Sequence, residues 1–237
     1  VSGAKLDISA DAQALAGRVA GWLLAAAQAK AGRFAVCLSG GSTPRRLYET
    51  LADPVYRDRF PWARTHWFWG DERFVPPDDP LSNHRMVREA MLSRAPVPAE
   101  NVHAVPTTGL TPAEAAERYE ATLRAFHGAD LAPGAPLFDV TLLGLGPDGH
   151  TASLFPGDAA LGERKRWVVA VIGAKAEARI SLTYPALENS AAVAFLVEGA
   201  EKRDIFERFR AGDPALPASR LKPKGELWYF ADKAAAG

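Results

Sequence analysis

The sequence predicts an α/β sandwich around a mostly parallel sheet, and two observations carry that prediction. Helix-like and strand-like segments alternate through the first two thirds of the chain. The strand-like segments are unbroken apolar runs without period-two alternation, as expected of strands covered on both faces.

From the N-terminus, residues 9–30 are rich in Ala and Leu, with Val19, Leu23 and Ala26 at helical spacing, and read as a helix. "RFAVCLS" (33–39) is a short buried strand that "GGSTP" breaks. Thr43 suits the N-cap and Pro44 the first position of a helix over "PRRLYETLAD". "THWFWG" (65–70) is the next strand, followed by a long loop, "DERFVPPDDPLSN", and a helix from Asn83 to Leu92. "NVHAV" (101–105) reads as a short strand. Thr111, Pro112 and Glu114 form a capping box ahead of a helix whose apolar face carries Ala116, Tyr119, Leu123 and Phe126. "LFDVTLLGLG" (137–146) is a strand, and "WVVAVIG", "RISLTYPALEN" and "AAVAFLVEG" are strand-like. "AEKRDIFERFRAG" is a helix ending at Gly212, and "GELWYFAD" (225–232) is the last strand. Without a repeat or a convincing linker, residues 1–237 read as one domain.

Bulk composition narrows the function classes. Of 237 residues, 48% are hydrophobic and 24% charged, ordinary for a globular chain. The formal net charge of +0 gives no electrostatic footprint for nucleic acid or for an anionic membrane surface. No apolar stretch approaches the roughly 20 residues of a membrane span, and no signal peptide is expected at Val1. Cys37 is the single cysteine, inside "FAVCL". It reads as a buried, inert thiol, and a chain without an internal disulfide suits the cytoplasm. The five histidines never fall at metal-ligand spacing, so no metal site is expected.

Three loops could carry chemistry. The first is "GLGPDGHTASLFPG" (144–157). Gly144, Gly146 and Gly149 match G-x-G-x-x-G, but Pro156 interrupts any helix and no acidic residue comes after the next strand at the right distance. A dinucleotide site is therefore not expected. His150 is the better clue. A loop leaving the carboxyl end of a buried strand is where α/β sheets place ligands, and an imidazole can act as a general base at neutral pH. Asp148 could orient it; a structural loop histidine is the bland alternative. The second loop, Gly40, Gly41, Ser42 and Thr43, presents free amides at a helix start and suits phosphate. It can equally be an ordinary capped helix. The third lies just after the strand at 65–70: Asp71, Glu72 and Arg73 could serve chemistry and phosphate binding, or form a solvated charge cluster. Lys202, near a helix start, suits an anionic ligand or is a surface lysine.

Together "LSGGSTPRRLYETL", "WFWGDERFVPPDDPLSNHRM", "LLGLGPDGHTASLFPG" and the tail "RISLTYPALENSAAVAFLVEGAEK" resemble the 6-phosphogluconolactonase family, over most of the chain and in the expected order. The resemblance implies a three-layer α/β/α Rossmann-like sandwich and hydrolysis of 6-phospho-D-glucono-1,5-lactone to 6-phosphogluconate. It implies His150 as general base, Asp71 and Asp148 as acidic neighbours, and Arg73 and Lys202 as phosphate-binding cations. The Gly40–Thr43 turn would lie near that phosphate, and Asn83 in "PLSNH" would shape the pocket. It further implies no metal or organic cofactor. The expected partner is the small sugar-phosphate lactone, with no nucleic acid or membrane, for a monomer or small homo-oligomer. A related deaminase carries a glutamate five residues after the histidine, where this chain has Phe155. A sugar-phosphate sensor domain would need no base, and the chain offers no helix-turn-helix segment or basic patch.

Overall fold

A computed structural model describes residues 3–128, 130–132 and 134–237. In chain order the strands and α-helices are β1 (Lys5–Ser9), α1 (Ala12–Ala29), β2 (Phe34–Leu38), α2 (Ser42–Leu51), α3 (Pro54–Arg57), β3 (Thr65–Trp69), β4 (Asp71–Arg73), α4 (Asn83–Val87), α5 (Pro112–His127), β5 (Phe138–Gly144), β6 (Val168–Val171), β7 (Arg179–Leu182), α6 (Tyr184–Glu188), β8 (Ser190–Val197), α7 (Arg203–Arg210), β9 (Glu226–Asp232) and α8 (Lys233–Ala236).

Six strands form one sheet in the order β1-β9-β8-β5-β2-β3. Every pairing in it is parallel. All five residues of β2 are buried, as the unbroken apolar run predicts for a strand with helices on both faces. A buried polar pair in these strands is satisfied within the sheet: Thr141 in β5 shares a 2.8 Å hydrogen bond with Ser190 at the start of β8. Cys37 is fully buried, and burial pushes its thiol far up, so it is inert. This sheet with its helices is the Rossmann-like α/β architecture that the sequence predicts. Among the described residues no helix is long and apolar enough to cross a membrane.

A second sheet, β4-β7-β6, is small and antiparallel. Here the fold departs from the pattern expected of the sequence. The loop expected after residue 70 begins with strand β4. The strand expected over 179–189 stops at Leu182, because Pro185 sits at the first turn of α6. The strand expected at 101–105 is instead a 3₁₀ turn, Ala99–Asn101, with an isolated bridge from Val102 to Trp67. Lys5–Ser9, just before the expected helix and overlapping its first residue, forms a strand that pairs with β9 at the sheet edge. The helix from Asn83 passes into a π-helical turn over Arg88–Leu92. The helix expected to end at Gly212 ends at Arg210. The capping box at Thr111 and Glu114 is formed as expected.

Candidate active site

The loops leaving the carboxyl ends of β2, β5 and β8 meet the small sheet around one cavity of about 350 Å³. Nine of the residues singled out in the sequence line it: Gly40, Gly41, Ser42, Thr43, Asp71, Arg73, Asn83, His150 and Lys202. Asp148 does not; it stands behind His150 and lines the neighbouring cavity.

Two buried tyrosines set the strand ends from which these loops depart. The Tyr48 hydroxyl accepts from the Ser39 amide (3.0 Å) and donates to the Ser39 carbonyl (2.8 Å), fixing the exit of β2. The Tyr119 hydroxyl does the same at Trp69, accepting at 2.7 Å and donating at 2.9 Å, and fixes the exit of β3. With one side chain each satisfies two backbone groups at the end of a strand.

Helix α2 starts earlier than expected. Its N-cap is Gly41, with φ of 110°, and no side chain caps it. Thr43 therefore lies inside the helix rather than at its cap. The left-handed backbone at residue 41 demands glycine, and the uncapped first amides with the helix dipole face the cavity, a suitable seat for an anion. Gly40 is needed for another reason: a methyl group there would overlap the Asn83 side-chain amide. That amide donates to the Asp71 carbonyl at 2.9 Å.

His150 sits in a turn closed by a 2.8 Å hydrogen bond from the Gly146 amide to its own carbonyl. A methyl group at Gly146 would overlap the imidazole, so this glycine makes room for the ring. The ring's Nδ1 is hydrogen-bonded to the Asp148 carboxylate, which also accepts from the His150 amide at 3.1 Å. Burial raises the Asp148 pKa, but the side-chain and backbone bonds from His150 outweigh it and hold the carboxyl below its usual range. Asp148 is thus ionised at neutral pH and fixes Nδ1–H as the donor, leaving Nε2 as the basic nitrogen. The ring packs against Phe155, centroids 4.7 Å apart.

The acidic residues after β3 divide. Asp71 is buried and accepts from the Ser153 hydroxyl at 2.7 Å; among the described residues no hydrogen bond joins it to His150. Glu72 points the other way, into the protein. It accepts from the amides of Arg73, Asn83 and His84, each at 2.7 Å. Burial holds its pKa above the usual carboxylate range, and those three amides only partly oppose the shift. Its work is to fold the 71–84 segment, which places Asn83 and Arg73 at the cavity.

The register of β4 on β7 sets Arg73 opposite Arg179. Both line the cavity, and both keep a buried Nε without a hydrogen-bond partner among the described residues. The Arg179 pKa is lowered, first by burial and then by the like charge of Arg73, though a guanidinium stays protonated. Two adjoining guanidiniums with unused donors suit a dianionic group such as a phosphate. Lys202, at the N-terminal edge of α7, donates to the Leu145 carbonyl at 2.9 Å and ties that helix to the His150 loop. Arg179, Lys175 and Ser153 also line the cavity, and none of them stands out in the sequence. The one available signal was a cation opening an otherwise apolar strand, "RISL". Among the described residues no group of three or more His, Cys, Asp or Glu side chains is placed to hold a metal ion.

Fold and site together define a Rossmann-like α/β protein in which strand-end loops and a small second sheet bring an aspartate-oriented histidine and a cluster of cations to one pocket. Comparison with known proteins agrees and goes further. The family model for glucosamine-6-phosphate isomerases/6-phosphogluconolactonase matches residues 8–229, and the chain belongs to that family. It is 46% identical over 208 residues to a 6-phosphogluconolactonase of a Nostoc species, covering 86% of this chain and 84% of that one. A Synechocystis 6-phosphogluconolactonase is 41% identical over 210 residues, covering 87% and 85%. The crystal structure of 6-phosphogluconolactonase from Thermotoga maritima superposes with a TM-score of 0.84 at 33% identity, covering 97% of this chain and 100% of that one.

Proposed function

We propose that this chain hydrolyses 6-phospho-D-glucono-1,5-lactone to 6-phospho-D-gluconate, in the oxidative pentose phosphate pathway, with His150 as general base. One observation carries the mechanism: the Asp148-oriented imidazole lines the same cavity as Arg73, Arg179 and Lys202. A base and an anion site on one small cavity are what a phosphorylated ester needs.

That arrangement sets the order of steps. The guanidiniums and the start of α2 hold the phosphate, which orients the lactone and brings its C1 carbonyl to Nε2. His150 takes a proton from water as the oxygen attacks C1, a contribution of about 100- to 10,000-fold for a well-placed base. The carbonyl becomes a tetrahedral oxyanion. As it collapses, the bond between C1 and the ring oxygen breaks, and the imidazolium returns its proton to that oxygen. The products are a carboxylic acid, ionised at neutral pH, and a hydroxyl on C5. A lactone is an activated ester, so no metal is required by this route. Asp71, held by Ser153, keeps the 150–153 loop against β4 and is a positioning residue in this scheme. The reading takes residues 1–237 as one domain; β1 and β9, from opposite ends of the sequence, are neighbours in one sheet, which supports it. The buried lone cysteine is in keeping with a cytoplasmic enzyme.

Phe155 bears against the deaminase alternative. It is an apolar wall on the imidazole where that activity calls for a carboxylate. The test is loss of freshly made lactone at neutral pH, measured against an enzyme-free blank, with ammonia release from glucosamine 6-phosphate followed in parallel. Lactone loss well above the blank without ammonia is the expected result. Lactone loss equal to the blank would overturn the reading.

A further inference from the structure

Four cations line the cavity: Arg73, Lys175, Arg179 and Lys202. Three are tied to the protein. Arg73 donates to the Leu81 carbonyl at 2.8 Å, Arg179 lies 3.6 Å from the Glu177 carboxylate, and Lys202 donates to the Leu145 carbonyl at 2.9 Å. Lys175 is different. Among the described residues its ammonium makes no ion pair and no hydrogen bond, and it lies 5.1 Å from the centre of the Phe155 ring. That ring is the one packed on the His150 imidazole, at 4.7 Å. One phenyl group therefore neighbours both the base and an unpaired positive charge.

The position of Lys175 in the fold is also distinct. It is carried by the exposed turn between β6 and β7, beside Ile172, which is 70% exposed. The same turn lines a second, open cavity with Phe155 and Asp148, so Lys175 stands where the two cavities adjoin. Arg73 and Arg179 are instead fixed on paired strands. An ammonium over an aromatic face is held only weakly, by about 0.5–1 kcal/mol at exposed sites, and remains available to a stronger partner.

The chemistry at C1 calls for such a group. The phosphate end of the substrate carries its charge throughout. The C1 end is neutral in the lactone, anionic in the tetrahedral intermediate and a carboxylate in the product. A cation serving that end should lie near the base and should have no fixed carboxylate partner to compete with the developing charge. We propose that Lys175 binds the negative charge that forms at C1, first on the intermediate and then on the product carboxylate. This rests on the lactonase reading above, and adds a division of the cavity's cations into a phosphate set and a C1 residue.

The test compares two inhibitors of lactone hydrolysis in wild type, Lys175→Gln and Lys175→Arg. One is 6-phospho-D-gluconate. The other is D-glucitol 6-phosphate, the same chain with a hydroxymethyl group in place of the carboxylate. In Lys175→Gln, inhibition by 6-phosphogluconate should weaken about 10-fold, as for loss of one charge-assisted contact, while D-glucitol 6-phosphate changes less than about 2-fold. Turnover should fall, and Lys175→Arg should restore most of both. Equal weakening toward both inhibitors would put Lys175 at the phosphate and overturn the proposal. So would unchanged inhibition by both in a variant whose melting temperature matches wild type. A wild type that fails to hydrolyse the lactone would instead defeat the underlying functional reading, so the two failures are distinguishable.

Discussion

The two sheets reach the cavity by different means. The six-stranded parallel sheet contributes through the connections beyond its strand ends: the Gly40–Thr43 turn after β2, the His150 loop after β5, and Lys202 after β8. The three-stranded antiparallel sheet contributes residues of its own strands, Asp71 and Arg73 from β4 and Arg179 from β7. Loops at the carboxyl ends of parallel strands can present backbone amides and an imidazole to a ligand. Paired strands hold two guanidiniums in a fixed register that a flexible loop could not maintain against their repulsion. On the proposed reading this is a division of labour: the large sheet supplies the base and the α2 end of the phosphate seat, and the small sheet supplies the guanidinium clamp.

Substitutions can break or sharpen that division. The largest effect is expected from His150→Ala, which should lower kcat by about 100- to 10,000-fold with little change in KM, read by lactone loss above the blank. Next comes Arg179→Gln. It removes one half of the clamp and should raise KM by about 10- to 100-fold, with kcat changed by less than about 3-fold. A smaller effect, about 10-fold on kcat at unchanged KM, is expected from Asp148→Asn, which keeps the shape but loses the charge that fixes the imidazole.

The smallest effect lies away from the cavity and concerns stability. His66 and His103 share a 3.1 Å contact between ring nitrogens, and His103 stacks on Phe68 at 4.3 Å. Burial, then the neighbouring His66, pushes the His103 pKa down to about 4. Its ordinary value is about 6.5. Below that value the unfolded chain binds a proton that the folded chain resists, so stability falls as pH drops from about 6.5 toward 4. Half-exposure discounts the effect to roughly 1 kcal/mol, or about 2–4 °C in melting temperature. His103→Phe keeps the stack and removes the titration. Its melting temperature, followed by calorimetry, should lose about 2–4 °C less than wild type over that range; parallel pH profiles would contradict the assignment.

The same contrast explains what the sequence made legible. The large sheet was readable because burial on both faces leaves an unbroken apolar signature, as in β2 and β5. Its loops were readable because glycine, proline and hydroxyl residues mark where a strand ends and a helix starts. In the small sheet β6 and β7 fall in segments that read as strands, but β4 carries no such mark. β4 is three residues, "DER", whose side chains say nothing of pairing until β7 lies beside them. Arg179 became a site residue only through that register. Thr43 and Pro44 fit the local pattern of a helix start, yet the left-handed backbone at Gly41 begins α2 earlier. Likewise the sequence does not show which of Asp71 and Asp148 touches His150, and only the folded chain gives Asp148 to His150 and Asp71 to Ser153.

The division of labour is tested most directly by a double-mutant cycle on kcat and KM for lactone hydrolysis, with Asp148→Asn, Arg179→Gln and the two combined. If one substitution acts on the base and the other on the clamp, the double variant should show both signatures, a fall in kcat and a rise in KM. Its loss in kcat/KM should be close to the product of the two single losses, about 100-fold or more. A double variant no worse than the poorer single one would contradict the account, because the aspartate and the arginine would then be acting through one shared element rather than from two sheets.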